Sequence, residues 1–182
     1  MALDNIEMFK KYEIKKIITN CPHCFSTFKN DYKQYGADFE VIHHTQLINT
    51  LITDGKIKPS KSSNGKTVFH DSCYLGRYNQ IYNEPRDIIK ACSDGRGPVE
   101  MEKRRDESFC CGAGGGRMWM EELVGKRINI ERTQQALKTK ASTIAVACPY
   151  CVTMFEDGLK DEKASDRANV KDIAEIVAES IK

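Results

Sequence analysis

The chain has 182 residues, of which 40% are hydrophobic, so it can bury the core of one ordinary domain or of one domain plus part of another. Its 28 Lys and Arg residues nearly balance its 26 Asp and Glu residues, which gives no electrostatic indication of binding to nucleic acid or to an acidic membrane. No apolar run approaches the ~18–20 residues of a membrane span, and residues 1–13 lack the features of a secretory signal, so we expect a cytoplasmic protein with no membrane span of its own.

The first part of the chain predicts two strands, each followed by a helix. The β-branched segment 15–19 runs into a Cys-Pro-His-Cys motif, after which a helix is expected over about 23–35. A second strand is expected at 38–45, with a helix after it. Pro, Ser and Gly mark residues 56–65 as a linker.

The second part of the chain continues the alternation. A strand is expected at 66–70, and a helix begins near the Asn-Glu-Pro sequence at 83–85. A glycine loop at 112–116 precedes a long helix, against which Trp119 is expected to pack, and the most apolar strand covers 142–147. This alternation predicts an α/β fold with a mainly parallel sheet and flanking helices.

Three of the four predicted strands end at or beside a cysteine, namely Cys21, Cys73 or Cys148. In open parallel sheets, the carboxyl ends of the strands form the crevice that binds ligands. We therefore expect cysteines that are far apart in sequence to converge at this edge of the sheet.

The cysteine content is the unusual part of the composition, with eight residues. A cytosolic protein keeps its thiols reduced, so metal binding or thiol chemistry is expected rather than a framework of disulfides.

The chain contains an internal repeat. Aligning Cys21 with Cys148 also aligns Cys24 with Cys151. Further aligned pairs are Pro22 with Pro149, Phe28 with Phe155 and, after a two-residue slip, Val41 with Val170. Residues 66–182 hold a complete copy, whereas residues 1–55 hold only the closing half of a first copy.

Both Cys-Pro-x-Cys motifs also resemble the dithiol of a thioredoxin-type enzyme. Such a domain needs further sheet after the motif, including a strand preceded by a cis-proline. No proline follows Cys151, and the next one after Cys24 is Pro59, in the expected linker. Thiol–disulfide exchange is therefore a distant third interpretation.

Five cysteines of the second copy follow the spacing C-x36-CC-x36-C-x2-C. Soft thiolate ligands select zinc, copper(I) or iron–sulfur clusters. Five thiolates exceed the four ligands of one tetrahedral zinc ion, so a multi-iron cluster explains the count better, with zinc and reactive or structural thiols left as alternatives. The set consists of Cys73, Cys110, Cys111, Cys148 and Cys151.

The sequences FHDSCYLGR, FCCGAGGGRMW and ACPYCVTMF together resemble the cysteine-rich CCG domain. This domain occurs in pairs in the catalytic subunit of heterodisulfide reductase and in related iron–sulfur oxidoreductases, including glycolate oxidase and lactate-utilisation subunits and membrane-associated proteins coupled to electron-transfer flavoprotein. The resemblance implies one complete CCG domain at 66–182, preceded by half of another. It implies that the five cysteines hold a 4Fe–4S cluster, which in heterodisulfide reductase is of an unusual noncubane form.

The resemblance also implies a function and partners. The chain would be an iron–sulfur electron-transfer subunit, or a fragment of one, in a heterodisulfide-reductase-like oxidoreductase. Its partners would be other redox subunits, whether iron–sulfur, flavoprotein or membrane quinone-linked, which would place it at the inner face of the membrane. A zinc-stabilised or cluster-free assembly module is the alternative.

The first repeat departs from the family pattern because it retains only Cys21 and Cys24. Its other cysteines would precede Met1, so either a partner chain completes the site or the pair binds no metal. Outside the ligand set, His70 and Gly112 are candidates to support a cluster from a second layer. His44 is a weaker candidate, since a surface role is the favoured expectation for His43 and His44, and Cys92 is expected to be a structural thiol.

Overall fold

The computed structural model describes residues 1–60, 65–122 and 124–181. The centre of the expected linker, 61–64, therefore lies outside the described residues, as does Lys182 at the end of the expected second repeat.

The first half of the chain forms two parallel strands with helices between and beside them. Ile17 of the first strand pairs with Val41 of the second. The helix that follows the first Cys-Pro-x-Cys motif continues through a π turn and a 3-10 turn as far as Tyr35, in agreement with the expected helix. The elements are α1 (Ala2–Lys11), β1 (Lys16–Thr19), α2 (Pro22–Ser26), β2 (Glu40–His43) and α3 (His44–Thr53).

The second half forms a parallel sheet in the order β3-β4-β5, with β4 in the centre. The expected parallel sheet is therefore present as two separate parallel sheets, one in each half. The elements are β3 (Thr67–Phe69), α4 (Asn83–Ala91), α5 (Ile128–Lys138), β4 (Thr143–Val146), α6 (Pro149–Asp161), β5 (Asn169–Asp172) and α7 (Ile173–Ser180).

The central strand β4 is covered on both faces of the sheet. Because side chains alternate between the two sides of a strand, its residues contribute in turn to two different cores. Ile144 and Val146 belong to a core under α5 and α6, with Phe155 among its members. Ala145 points to the opposite core, which contains Phe69 of the neighbouring strand. The sheet thus separates two hydrophobic cores.

The second core also joins the two halves of the chain. Phe25 of α2 is fully buried in the same cluster as Ile173 and Val177 of α7. Across the same junction, His44 Nε2 lies 3.0 Å from Asp172 Oδ1. The two copies of the repeat therefore pack against each other through their corresponding α3 and α7 helices.

Two expectations about the segment after the glycine loop are wrong. The long helix is a 3-10 stretch at Gly114–Trp119 followed, after a loop, by the 11-residue α5. Trp119 is 82% exposed instead of packed against a helix. Gly125, whose φ angle is +76°, interrupts the helical path just before α5, which explains why the helix starts late.

Among the described residues, no helix combines the length and the apolar character needed to cross a bilayer.

Candidate metal centre

The cysteines converge because parallel strands end at the same edge of a sheet. β4 ends at Val146, and Cys148 then serves as the residue that precedes α6, with Pro149 in the first helical turn. β3 ends at Phe69, and the chain turns at once into the loop that carries Cys73. Pro149 fixes the helical backbone without removing a needed hydrogen bond, so the start of α6 is well defined.

The five predicted cysteines form a continuous series of sulfur contacts. The thiol of Cys73 donates to Cys110, and so does the thiol of Cys111. The single S–H of Cys151 lies where it can donate either to Cys111 or to Cys148. The structure thus brings all five thiols together, although they span 79 residues of sequence from first to last, and all five are free thiols.

The hydrogen bonds concentrate negative charge on two of the sulfurs. Donation from Cys111 and Cys73 lowers the pKa of Cys110 far below its usual range. Donation from Cys151, together with a hydrogen bond from His23, lowers the pKa of Cys148 to about 5 despite burial. Thiolates are the form in which cysteine binds metals, so the arrangement favours the ligand state.

Gly112 brings the backbone close to Cys110. Its N–H donates to Cys110 Sγ over 3.3 Å, and its φ angle of +96° is one that residues with a side chain rarely adopt. A β-carbon at this position would lie 3.0 Å from the backbone nitrogen of Asn129. The glycine is therefore required by both the turn and the space available.

An ion-pair network anchors the loop between β3 and the cysteine doublet. Both carboxylate oxygens of buried Asp71 accept from Arg86, which also binds Glu100. Asp71 Oδ2 accepts from the backbone N–H of Arg105, and the carbonyl of Asp71 accepts from Ser108 Oγ. These bonds fix the strand end relative to the segment that leads into Cys110.

His70 lies beside the sulfurs, in the position expected of a supporting residue. One of its ring nitrogens and the sulfurs of Cys111 and Cys151 lie within 4.8 Å of one another. Its Nδ1 accepts from the Nε–H of Arg132, a fully buried residue of α5. Burial, reinforced by the charge of Arg132, lowers the pKa of His70 to about 3, so the ring is neutral.

The first Cys-Pro-x-Cys motif lies against the second one. His23 hydrogen-bonds to both Cys148 and Cys21, which raises its pKa to about 9. Burial of Cys21 disfavours its thiolate, but hydrogen bonds from His23 and from Cys24 outweigh this effect and lower the pKa of Cys21. His23 also packs between the rings of Tyr74 and Tyr150.

The expected surface role for His43 and His44 is wrong. His43 is fully buried, and His44 is 8% exposed. His43 Nδ1 bonds to Thr45 Oγ1 over 2.8 Å and its ring packs against Phe25, while His44 contacts Asp172 of the other half. Both residues therefore stabilise the junction between the halves.

Cys92 lies where a structural thiol is expected. It is buried in the second core, and its sulfur lies 3.4 Å from Ser180 Oγ.

The residues present fit a cofactor rich in metal ions better than a single ion. Five thiols in one continuous series of contacts exceed the four ligands that one tetrahedral zinc site uses. The Gly112 N–H and the nearby charge of Arg132 are suited to stabilise a negatively charged metal–sulfur group. The ligand role of each cysteine stays a prediction.

Comparison with known proteins agrees with this arrangement. Residues 1–29 and 67–156 match the family model CCG, a cysteine-rich domain. The chain belongs to the CCG family. The first matched segment contains Cys21 and Cys24, and the second contains all five cysteines of the contact series.

Curated relatives of this CCG chain include longer redox proteins. It is 48% identical to the probable iron–sulfur-binding oxidoreductase FadF of Bacillus subtilis (strain 168), covering all of this chain and 26% of that protein. It is 44% identical to the EtfAB:quinone oxidoreductase of Syntrophomonas wolfei subsp. wolfei, covering 97% of this chain and 26% of the relative. Identity to one subunit of the dihydromethanophenazine:CoB–CoM heterodisulfide reductase of Methanosarcina barkeri is 37%, covering all of this chain and 44% of that relative. The chain thus spans a quarter to less than half of these relatives.

Two residues of the CCG site were missed by reasoning from the sequence. His23 is the variable position of a Cys-Pro-x-Cys motif, and nothing in the motif indicates that it contacts Cys148. Arg132 lies in an amphipathic helix, where an arginine is normally solvent-exposed. Its neighbours Asn129 and Thr133 on the same helix are also buried, but only the fold reveals that this face is turned inward.

Proposed function

We propose that this chain is the cluster-binding, electron-transferring part of an iron–sulfur oxidoreductase. The observation that carries the proposal is the unbroken series of contacts among five free thiols at one edge of the sheet. The names of relatives as an iron–sulfur-binding oxidoreductase and as a quinone oxidoreductase support it.

The proposed ligands are Cys73, Cys110, Cys111, Cys148 and Cys151, and the proposed cofactor is a 4Fe–4S cluster, with the noncubane form favoured by the fifth thiol. When bound, such a cluster supplies one-electron oxidation and reduction. The chain itself positions the sulfurs through the Asp71 network, donates the Gly112 N–H to Cys110, and keeps the group in a largely buried environment.

We also propose that Cys21 and Cys24 form half of a second site, completed by cysteines that this sequence does not supply. Residues 1–55 would then be the closing half of one CCG unit and residues 66–182 a complete unit. The contact of His23 with both Cys21 and Cys148 supports this proposal, because it places the two Cys-Pro-x-Cys motifs side by side. Electrons would therefore have a short path between the two sites.

The proposed partners are other redox subunits or domains, of the iron–sulfur, flavoprotein or quinone-linked kind. The names of the quinone oxidoreductase and of the heterodisulfide reductase support such an assembly. The proposed location is the cytoplasm, with contact to the inner face of the membrane made through these partners.

A pair of cysteine variants tests the ligand set. Cys111→Ser removes a thiol at the centre of the contact series, so the anaerobically purified variant is expected to lose or convert its cluster, seen as lower iron and sulfide content and an altered EPR spectrum. Cys92→Ser is the matched control, since Cys92 is also buried but lies in the other core. Iron content that falls as much in Cys92→Ser as in Cys111→Ser would contradict the proposal.

A further inference from the structure

Arg132 is a buried cation whose direct partners are all uncharged. Its side chain is fully buried. Its guanidinium donates to His70 Nδ1, to the carbonyl of Lys103, and to the side chains of Ser108 and Gln135. Among the described residues, no carboxylate lies within ion-pair distance of it, because the nearby Asp71 is engaged by Arg86. A buried charge without a paired counter-charge is costly, so its retention needs an explanation.

Negative charge is available from the sulfurs. Asp71 is the strongest favourable charge near Arg132, and Cys151, Cys111 and Cys110 come next. As thiolates or as ligands of a metal–sulfur group, they supply the counter-charge that the immediate neighbours of Arg132 lack. Negative charge at these sulfurs therefore adds to that of Asp71 in compensating the buried arginine, which neutral thiols would not do.

The hydrogen bond between Arg132 and His70 fixes the proton position on the imidazole. A guanidinium N–H can only donate, so His70 Nδ1 must accept over the observed 3.2 Å and carries no proton. The proton of the neutral ring then lies on Nε2. With Nδ1 occupied by Arg132, Nε2 is the nitrogen left for the sulfurs of Cys111 and Cys151.

We propose that Arg132 and His70 together tune the reduction potential of the metal–sulfur group. Arg132 holds His70 as the Nε2–H tautomer, and His70 donates a hydrogen bond to the sulfurs of the site instead of binding a metal ion. This inference rests on the proposed function for its redox consequence. A hydrogen-bond donor and a cation beside a metal–sulfur group stabilise its reduced, more negative form. The pair therefore raises the reduction potential of the cluster, and Arg132 acts as a positioning residue.

Redox titration of the iron-loaded full chain, followed by EPR, tests the tuning role. His70→Phe removes the donor but retains a ring that packs against Phe155, and Arg132→Met removes the charge at similar volume. Both variants are expected to keep the iron and sulfide of the wild type while the midpoint shifts to more negative potential. For a one-electron couple, a midpoint shift of 59 mV changes the ratio of oxidised to reduced cluster about tenfold at a fixed potential.

A conservative variant and an exposed control keep the test decisive if a variant folds poorly. His70→Gln retains an N–H donor, so its potential is expected to lie nearer the wild-type value than that of His70→Phe. Arg117→Gln removes an exposed arginine that pairs with Glu122, and its potential is expected to equal that of the wild type. Loss of iron in His70→Gln would show that His70 is a ligand and would overturn the proposal. Unchanged potentials in both His70→Phe and Arg132→Met would overturn the tuning role.

Nitrogen-15 NMR of the histidines tests the tautomer independently of activity and of iron. The chain has four histidines, so the signals can be assigned by substitution. The expected spectrum shows His70 Nδ1 unprotonated and Nε2 protonated in the wild type, and a loss of this preference in Arg132→Met. A protonated Nδ1 in the wild type would overturn the proposal. A wild-type chain that retains this tautomer but contains neither iron nor sulfide would instead contradict the proposed function, and with it the tuning role.

Discussion

Cys110 and Cys148 differ from the other site cysteines in that each accepts every hydrogen bond described for it. Two thiols, Cys73 and Cys111, and the N–H of Gly112 all donate to the sulfur of Cys110. Cys151 is at the other extreme, because the neighbouring Cys111 and Cys148, together with burial, raise its pKa well above the usual range. The protons are therefore unevenly distributed among the five thiols, and metal binding must displace them chiefly from Cys151, Cys111 and Cys73.

Gly112→Ala is expected to destabilise the chain and to lower its iron content. The φ angle of +96° and the close approach to the Asn129 nitrogen both oppose a β-carbon, and strain of this kind costs about 1–3 kcal/mol. Urea unfolding monitors the loss of stability. Gly114→Ala is the matched control, because a β-carbon there meets nothing within 4 Å and its backbone needs no positive φ. Equal losses in both variants would contradict the assigned role of Gly112.

The sequence revealed the site residues that have a distinctive chemistry but not those that depend on packing. Cysteine spacing and strand ends predicted the five thiols that the structure brings together. Arg132 and His23 became visible only in three dimensions, because arginine and histidine are common on surfaces and their role here follows from the turn of one helix and the contact of two repeats.

At the scale of elements, α5 and α6 pack closely because Gly158 has no side chain. A β-carbon at this position would lie 2.1 Å from Thr133 Oγ1 and 3.2 Å from the carbonyl of Asn129. Both contacts lie on α5, the helix that also carries Arg132. The distance between these helices thus helps to position the residue that contacts His70.

Gly158→Ala is expected to lower the free energy of unfolding even though alanine favours helix. Overpacking of a core costs about 1–3 kcal/mol, which exceeds the helix-propensity gain of about 1 kcal/mol when the neighbour cannot move. The double variant Gly158→Ala/Thr133→Ala should recover most of the loss. Thr133 Oγ1 has no hydrogen-bond partner among the described residues, so removing it costs little. A double variant as unstable as the single one would contradict this packing argument.

The junction of β2 and α3 makes the fold sensitive to acid. Burial, together with the neighbouring His44, lowers the pKa of His43 from 6.5 to about 3. Since the folded state binds fewer protons than the unfolded state, stability is fully present above pH 6.5 and falls as the pH drops towards about 3. One such group contributes a slope of at most about 1.4 kcal/mol per pH unit.

His43→Phe is expected to reduce this slope by the contribution of one proton. The phenylalanine ring keeps the contact with Phe25 and removes a ring nitrogen, Nε2, that has no partner among the described residues. Urea unfolding at several pH values below 6.5 measures the slope. His70, whose pKa is also lowered to about 3, leaves a residual slope in the variant. An unchanged slope would show that His43 does not titrate on unfolding.

Most strands and several helices were predictable because their patterns are local. The periodicity of Ile and Val predicted β1, β3 and β4 to within one or two residues. The strand β5 lacks a strong apolar pattern and was not predicted, although the repeat aligns its Val170 with Val41 of β2. The late start of α5 was not predicted, because the left-handed backbone of Gly125 lies in a segment whose composition otherwise favours helix.

At the scale of the whole molecule, the two halves share a core and are expected to unfold together. Phe25→Ala removes a fully buried ring of the first half from a cluster built mainly by the second half. A loss of about 3–5 kcal/mol in a single transition is expected, as measured by urea unfolding with circular dichroism. Tyr35→Ala, at a position that is 47% exposed, should change stability by less than about 0.5 kcal/mol. Two separate transitions for the wild type would contradict a shared core.

What the five thiols hold is tested most directly by metal and sulfide analysis of the full chain purified without oxygen. We expect several iron atoms and acid-labile sulfide in every loaded chain, because the site offers more contacting thiolates than one metal ion can use. Zinc without sulfide in the purified chain would contradict the proposed iron–sulfur cluster.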